Sequence, residues 1–276
     1  MKNIKVTLLH HTPLYIASDG ARTCWSSQDK SDTCLTLTCD SCGTKSIDSE
    51  EGITNFEMNI GDDNQHECHN CKSMKNHWEK YIGPKDLALI DRVGNQFHHA
   101  SILEHISMNF FIDGISRACL QELARHRIAS LSVKSSRYTL KELKDEPHFL
   151  NGWCISDSFE ETDFNNDGYN RALKYLVMTD DFRVDICSIG ALDNLLETIQ
   201  LGISNDKAKY CMPESYRTQL TWTINMRSLQ NFLSLRTDRT ALPEIQHLAH
   251  LIYEALPADA QSLVAHCVKG IDDATV

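Results

Sequence analysis

From about Thr33 to Pro84 the chain loses every apolar period that could build a core, although the stretches on either side each have one. Asp, Glu, Asn, Gly, Ser and Cys crowd together there, so residues 33–83 read as an insertion within a single domain spanning residues 1–276. The main core must therefore be assembled from sequence on both sides of it. Within the insertion, Cys39-Asp-Ser-Cys42 and Cys68-His-Asn-Cys71 form two C-x2-C pairs with 25 residues between them. Two such pairs can converge on a tetrahedral site of four thiolates, and bound zinc then folds a segment too polar to fold by itself. Four cysteine ligands close the coordination sphere, so the zinc would be structural. Free thiols or an iron–sulfur cluster are the alternatives, and His66 and His69 could substitute as ligands.

The flanking sequence mixes both periodicities. Residues 4–9 alternate as a strand, and Ile16, Ala17, Gly20, Ala21 and Cys24 recur at helical spacing, which makes Cys24 a buried structural thiol. After Pro84 the helical pattern resumes with Leu87, Ile90 and Val93. Ile106, Met108, Phe110 and Ile112 then alternate as the buried face of a strand that Gly114 ends. A helix follows from Ile115 to about Arg127, and helical character returns over Tyr169–Leu201, Thr218–Arg236 and Pro243–Val268. That order predicts a mixed α/β domain, not a parallel βαβ array.

Charge and composition exclude several classes. A net charge of −11 opposes broad binding to nucleic acid, which needs a basic face to release counterions, although a few clustered arginines can still hold one small phosphate ligand. His10, His11 and Pro13 cut the N-terminal apolar stretch short of a signal peptide, and no segment has the roughly 18 apolar residues of a membrane span. A cytoplasmic location is expected, and there the eleven cysteines would be thiols or metal ligands.

The densest chemistry lies in Arg125-His126-Arg127-Ile-Ala-Ser-Leu-Ser-Val-Lys-Ser135-Ser136-Arg137-Tyr138, which sets four cations, one histidine and four serines in fourteen residues. Arginine forks and serine hydroxyls suit phosphate oxygens, but a solvated basic helix end would read the same way. The order decides between them. Arg-His-Arg, seven residues, then Ser, with Arg two residues later, resembles the signature of flavin-dependent thymidylate synthases. Ser101-Ile-Leu-Glu104-His105, Gly114-Ile-Ser-Arg-Ala118, Met212-Pro213, Asn225-Met-Arg227-Ser-Leu229 and Asn231-Phe-Leu-Ser-Leu-Arg236 resemble further blocks of that family in the same order.

The resemblance implies an α/β fold with a twisted sheet and flanking helices, assembled as a homotetramer with FAD and dUMP held where subunits meet. It implies reductive methylation of dUMP to dTMP, with methylene-tetrahydrofolate as carbon donor and NADPH as reductant through FAD. Ser101, Glu104, Arg125, His126, Arg127, Asn225, Arg227 and Asn231 match positions that contact FAD. Glu122, Arg125, Ser135, Ser136, Arg137, Lys209 and Arg236 match positions around dUMP, and Arg236 is the candidate for stabilising an anionic pyrimidine. Ser135 then serves as a substrate hydrogen bond and not as a nucleophile. Three departures stand out: Ser132-Val133 replaces a common Asn-Glu, Lys209 a common arginine and Glu122 a frequent glutamine. No Gly-x-Gly-x-x-Gly fingerprint marks a nicotinamide site. Two rival readings are a non-catalytic nucleotide or nucleic-acid sensor with a partner-binding ribbon, and a flavoenzyme that methylates another pyrimidine.

Overall fold

The computed structural model describes residues 4–47, 56–58, 66–150 and 166–270. Residues 48–55 and 59–65 of the expected insertion lie outside that set. The chain opens with strand β1 (Lys5–His11) and divides into two compact units, Thr12–Ile106 and residues 1–11 with 107–276.

In the unit Thr12–Ile106, helix α1 (Tyr15–Cys24) buries Ala17, Ser18, Ala21 and Arg22. Among the described residues five strands follow: β2 (Cys34–Cys39), β3 (Lys45–Ile47), β4 (Phe56–Met58), β5 (His66–Cys68) and β6 (Asn76–Tyr81). Helix α2 (Pro84–Ile90) comes next, starting with the proline whose missing N–H costs a helix nothing at that position. The two ends of the cysteine-bearing segment meet. Strand β2 pairs antiparallel with β6 from Cys34 opposite Tyr81 to Cys39 opposite Asn76, while the Asp32 carboxyl caps α2 by accepting from the Lys85 and Asp86 amides at 2.7 and 2.9 Å. A chain that leaves and returns at one point can carry an insertion without stretching the elements beside it. The segment also holds more structure than its weak apolar pattern promised, since the order β3-β2-β6 and the pair β4-β5 give it a small core of Leu37, Cys39 and Cys68.

The other unit is built on a four-stranded antiparallel sheet in the order β1-β7-β9-β8, with β7 at Ser107–Ser116, β8 at Ala129–Val133 and β9 at Arg217–Asn225. Met108, Phe110 and Ile112 of β7 and Leu220, Trp222 and Ile224 of β9 are buried at alternate positions, the period of two expected of a strand with one apolar face. Its helices are α3 (Arg117–Ala124), α4 (Ser136–Thr139), α5 (Asn166–Ala172), α6 (Phe182–Gln200), α7 (Asn205–Ala208), α8 (Met226–Arg236), α9 (Pro243–Glu254) and α10 (Ala258–Val264). A second apolar cluster gathers around α6, from Leu140, Leu143 and Phe149 to Ile189, Leu192 and Leu196.

Several boundaries differ from those expected, each for a local reason. Gly114 does not end β7: at φ +93° it forms a bulge between Asp113 and Ile115, and the strand runs on to Ser116. Ile115 therefore belongs to the strand, and α3 begins at Arg117. Thr218–Asn225 is strand, because its buried residues recur every two positions between Gln219, Thr221 and Thr223, and only Met226 onward is helical. The stretch from Tyr169 to Leu201 breaks after Ala172 and resumes at Phe182, and Pro257 divides α9 from α10. Cys24, expected to be buried, is exposed, because it is the last residue of α1, beyond the buried residues that end at Arg22.

Candidate active site

Two helices meet end to end at the densest cluster of functional side chains. Ser116 caps α3, its hydroxyl oxygen accepting the Cys119 amide at 3.0 Å, while the Arg117 and Ala118 amides donate to the carbonyls of Tyr216 and Glu214. Arg125-His126-Arg127 lies at the C-terminal end of α3, as the sequence places it. Arg236, the last residue of α8, reaches across: its Nε donates to His126 Nε2 at 3.0 Å, one terminal nitrogen to a Glu122 carboxylate oxygen at 2.8 Å, and the other to the Glu122 carbonyl at 3.2 Å. Arg125 stands 3.6 Å from the second Glu122 oxygen. An open cleft of about 590 Å³ is lined here by Gln121, Glu122, Glu214 and Arg236, with Thr240–Leu242 on its rim.

The His126 ring is buried and packs edge-on against Phe232, with ring centres 5.0 Å apart, and Phe232 meets Trp222 in the same manner. Burial, and then the Arg236 charge, lower the His126 pKa to about 4, so its imidazole is neutral at physiological pH and its Nε2 is free to accept. An arginine has five N–H donors, and three of those on Arg236 are used within the protein. Among the described residues the remaining two, one on each terminal nitrogen, have no protein partner and can donate to a ligand.

The remaining dUMP candidates gather elsewhere. Ser135 precedes α4, Arg137 pairs with Asp206 at 3.0 Å, and Asn205 donates to the Arg137 carbonyl at 2.8 Å. Both Asn205 and Asp206 belong to α7, which leads into Lys209, so Ser135, Ser136, Arg137 and Lys209 form one neighbourhood at the α4–α7 contact. Strand β8 separates it from the Arg236 cluster. Five residues of strand span roughly 13 Å between the first and last Cα.

The FAD candidates divide as well. Ser101 and Glu104 are exposed on the 3₁₀ turn Ala100–His105 of the unit Thr12–Ile106. In the other unit, Asn225 caps α8 by accepting the Ser228 amide at 2.8 Å, and Arg227 and Asn231 are exposed on that helix. At 100° per residue Arg227 and Asn231 lie about 40° apart around α8, whereas Arg236 falls about 180° from Arg227. Arg125 and Arg127 are exposed, and β8 pairs with β9 so that Ala129 faces Ile224, bringing Arg127 and Asn225 to the same end of the strand pair.

Comparisons with known proteins identify the family. A family model described as thymidylate synthase complementing protein matches residues 7–260. The flavin-dependent thymidylate synthase of Wolinella succinogenes is 46% identical over 258 residues, covering 94% of this chain and 96% of that protein. This chain belongs to the flavin-dependent thymidylate synthase family. A crystal structure of thymidylate synthase X from Helicobacter pylori with FAD and dUMP is 41% identical, with a TM-score of 0.70 over 97% of this chain and 100% of that one. A UMP/dUMP methylase from Streptomyces cacaoi shares the fold at a TM-score of 0.56 and 18% identity.

Cys39, Cys42, Cys68 and Cys71 bring their sulfurs within 4.8 Å of one another, with Cys39 to Cys71 and Cys42 to Cys68 both at 3.5 Å. Tetrahedral zinc with Zn–S of about 2.3 Å separates its sulfurs by about 3.8 Å, so the four thiols fit such an ion. Neither histidine joins them: His66 is buried edge-on against Trp78 and His69 is exposed. Sequence reasoning also missed Phe232 as the support of His126, Gln121 and its bond to Glu214 at 2.8 Å, and Glu244. Phe232 sits four residues before Arg236, a spacing that could have paired them on one helix face.

Proposed function

We propose that this chain makes dTMP from dUMP, taking the carbon from methylene-tetrahydrofolate and reducing equivalents from NADPH through FAD. The observation that carries the reading is Arg236, fixed at an open cleft by three bonds to Glu122 and His126, with two N–H groups left to meet a substrate. Such a rigid, pre-oriented cation favours the anionic, enolate-like form of a pyrimidine and so polarises C5 and C6. Arg125 adds charge beside it, while Ser135, Ser136, Arg137 and Lys209 supply the hydroxyls and cations that a nucleotide phosphate requires. Exposed Arg125, Arg127 and Arg227 with the Asn231 amide fit the diphosphate of a flavin dinucleotide. The flavin, when bound, supplies the hydride chemistry.

A homotetramer belongs to the same reading. The Arg236 cluster and the Ser135–Arg137 group sit at opposite ends of β8, and Arg227 and Arg236 lie on opposite sides of α8, which supports sites completed by residues from more than one copy. The thiol cluster holds a structural zinc, two of its four sulfurs belonging to buried cysteines and two to exposed ones. The deciding experiment follows dTMP formation by the purified protein under anaerobic conditions with dUMP, methylene-tetrahydrofolate and NADPH, with and without FAD. Product that requires both folate and flavin supports the proposal; a flavin-loaded protein that makes none redirects it to another pyrimidine.

A further inference from the structure

The Arg236 cluster depends on how α3 and α8 are held, and one carboxyl lies at the root of that arrangement. Glu244, in the first turn of α9, is buried, and its two oxygens accept the backbone N–H and the hydroxyl of Ser116 at 2.7 and 2.5 Å. Ser116 is the residue whose oxygen caps α3. Glu244 therefore fixes the start of the eight-residue helix α3, whose last turn carries Glu122. Two residues further along α9, Gln246 donates to the Thr237 carbonyl at 3.1 Å, directly after Arg236. The first turn of α9 thus ties down both the start of α3 and the end of α8, and the Thr240–Leu242 rim of the cleft runs straight into it.

The energetics argue for more than packing. Among the described residues Glu244 has no ion-pair partner. Its charge is balanced by the two Ser116 donors and by the positive ends of α3 and α9. A buried carboxyl is a costly way to join two helices when an apolar contact could do so, but it fixes direction as an apolar contact cannot. Direction matters here because Arg236 meets Glu122 and His126 only if α3 keeps its axis.

We infer that Glu244, acting through Ser116, is the positioning residue that sets α3 so that Glu122 and His126 hold Arg236 for catalysis. The inference rests on the reading that Arg236 acts on the pyrimidine. Its test compares flavin-loaded Ser116→Ala, Glu244→Ala and Glu244→Gln. Glutamine keeps the length of the side chain and can still accept from the Ser116 amide and donate to its hydroxyl, so it should retain most turnover. Ser116→Ala, which removes the hydroxyl's bonds to Glu244 and to the Cys119 amide with little change in volume, and Glu244→Ala should each lose on the order of tenfold in dTMP formation. NADPH-driven flavin reduction without dUMP should stay unchanged, a separation that general destabilisation would not produce. Wild-type dTMP turnover by Ser116→Ala overturns the inference, as does a loss that flavin reduction shares equally. An Arg236→Ala control keeps the two claims apart: an active control removes the role of Arg236 itself, whereas an inactive control beside a fully active Ser116→Ala removes only that of Glu244.

Discussion

At the scale of single residues, a guanidinium is fixed by a neutral imidazole and a carboxylate. Removing Arg236 takes away the group that would carry pyrimidine charge but none of the FAD candidates on the opposite side of α8. Arg236→Ala should keep its flavin, read from its absorbance, and lose about 10²-fold or more in dTMP formation; a variant with unchanged turnover would take Arg236 out of the mechanism. His126 carries a pH dependence whose sign follows from its environment. Its pKa falls from 6.5 in the unfolded chain to about 4 in the folded one, so between those values the unfolded chain binds more protons. The His126 contribution to stability is therefore intact above pH 6.5 and declines as pH falls toward 4. Thermal unfolding across that window should show a steeper acid loss for the wild type than for His126→Gln, which cannot titrate there.

At the scale of elements, the cysteine-bearing segment and α8 illustrate two kinds of economy. The segment begins and ends at one place, tied by Asp32, and its core of Leu37, Cys39 and Cys68 is too small to hold two sheets together by burial alone. Zinc would supply the missing stability. The purified protein should contain about one zinc per chain, and Cys39→Ser with Cys42→Ser should release it and make the segment protease-sensitive. Zinc that persists in this double variant would reject the four-cysteine site. Helix α8 carries a capping Asn225 and an exposed Arg227 at one end and Arg236 at the other, serving two neighbourhoods on opposite sides.

At the scale of the whole molecule, the split of the nucleotide residues between the two ends of β8 predicts shared sites. Arg236→Ala and Arg137→Ala should each be inactive when assembled alone. Oligomers refolded from an equal mixture should regain measurable dTMP formation, because some sites then combine an intact Arg236 from one copy with an intact Arg137 from another. A mixture as inactive as its parents would place the whole nucleotide site within one chain.

The sequence by itself determined the chemistry-bearing positions and the type of most elements. Arginines, serines and C-x2-C pairs announce themselves by residue type and short spacing, and the alternation from Ile106 to Ile112 marks a strand by period alone. It was less informative where a neighbour outweighs local pattern. Thr218–Asn225 becomes a central strand because β7 and β8 flank it, and Gly114 bends a strand that continues because β9 still pairs beyond it. Only the tertiary structure decided that His126 accepts from Arg236 across 110 positions of sequence and that Glu244 holds Ser116 across 128. Such bonds are made when packing closes long loops and desolvates both partners, and no local spacing encodes them.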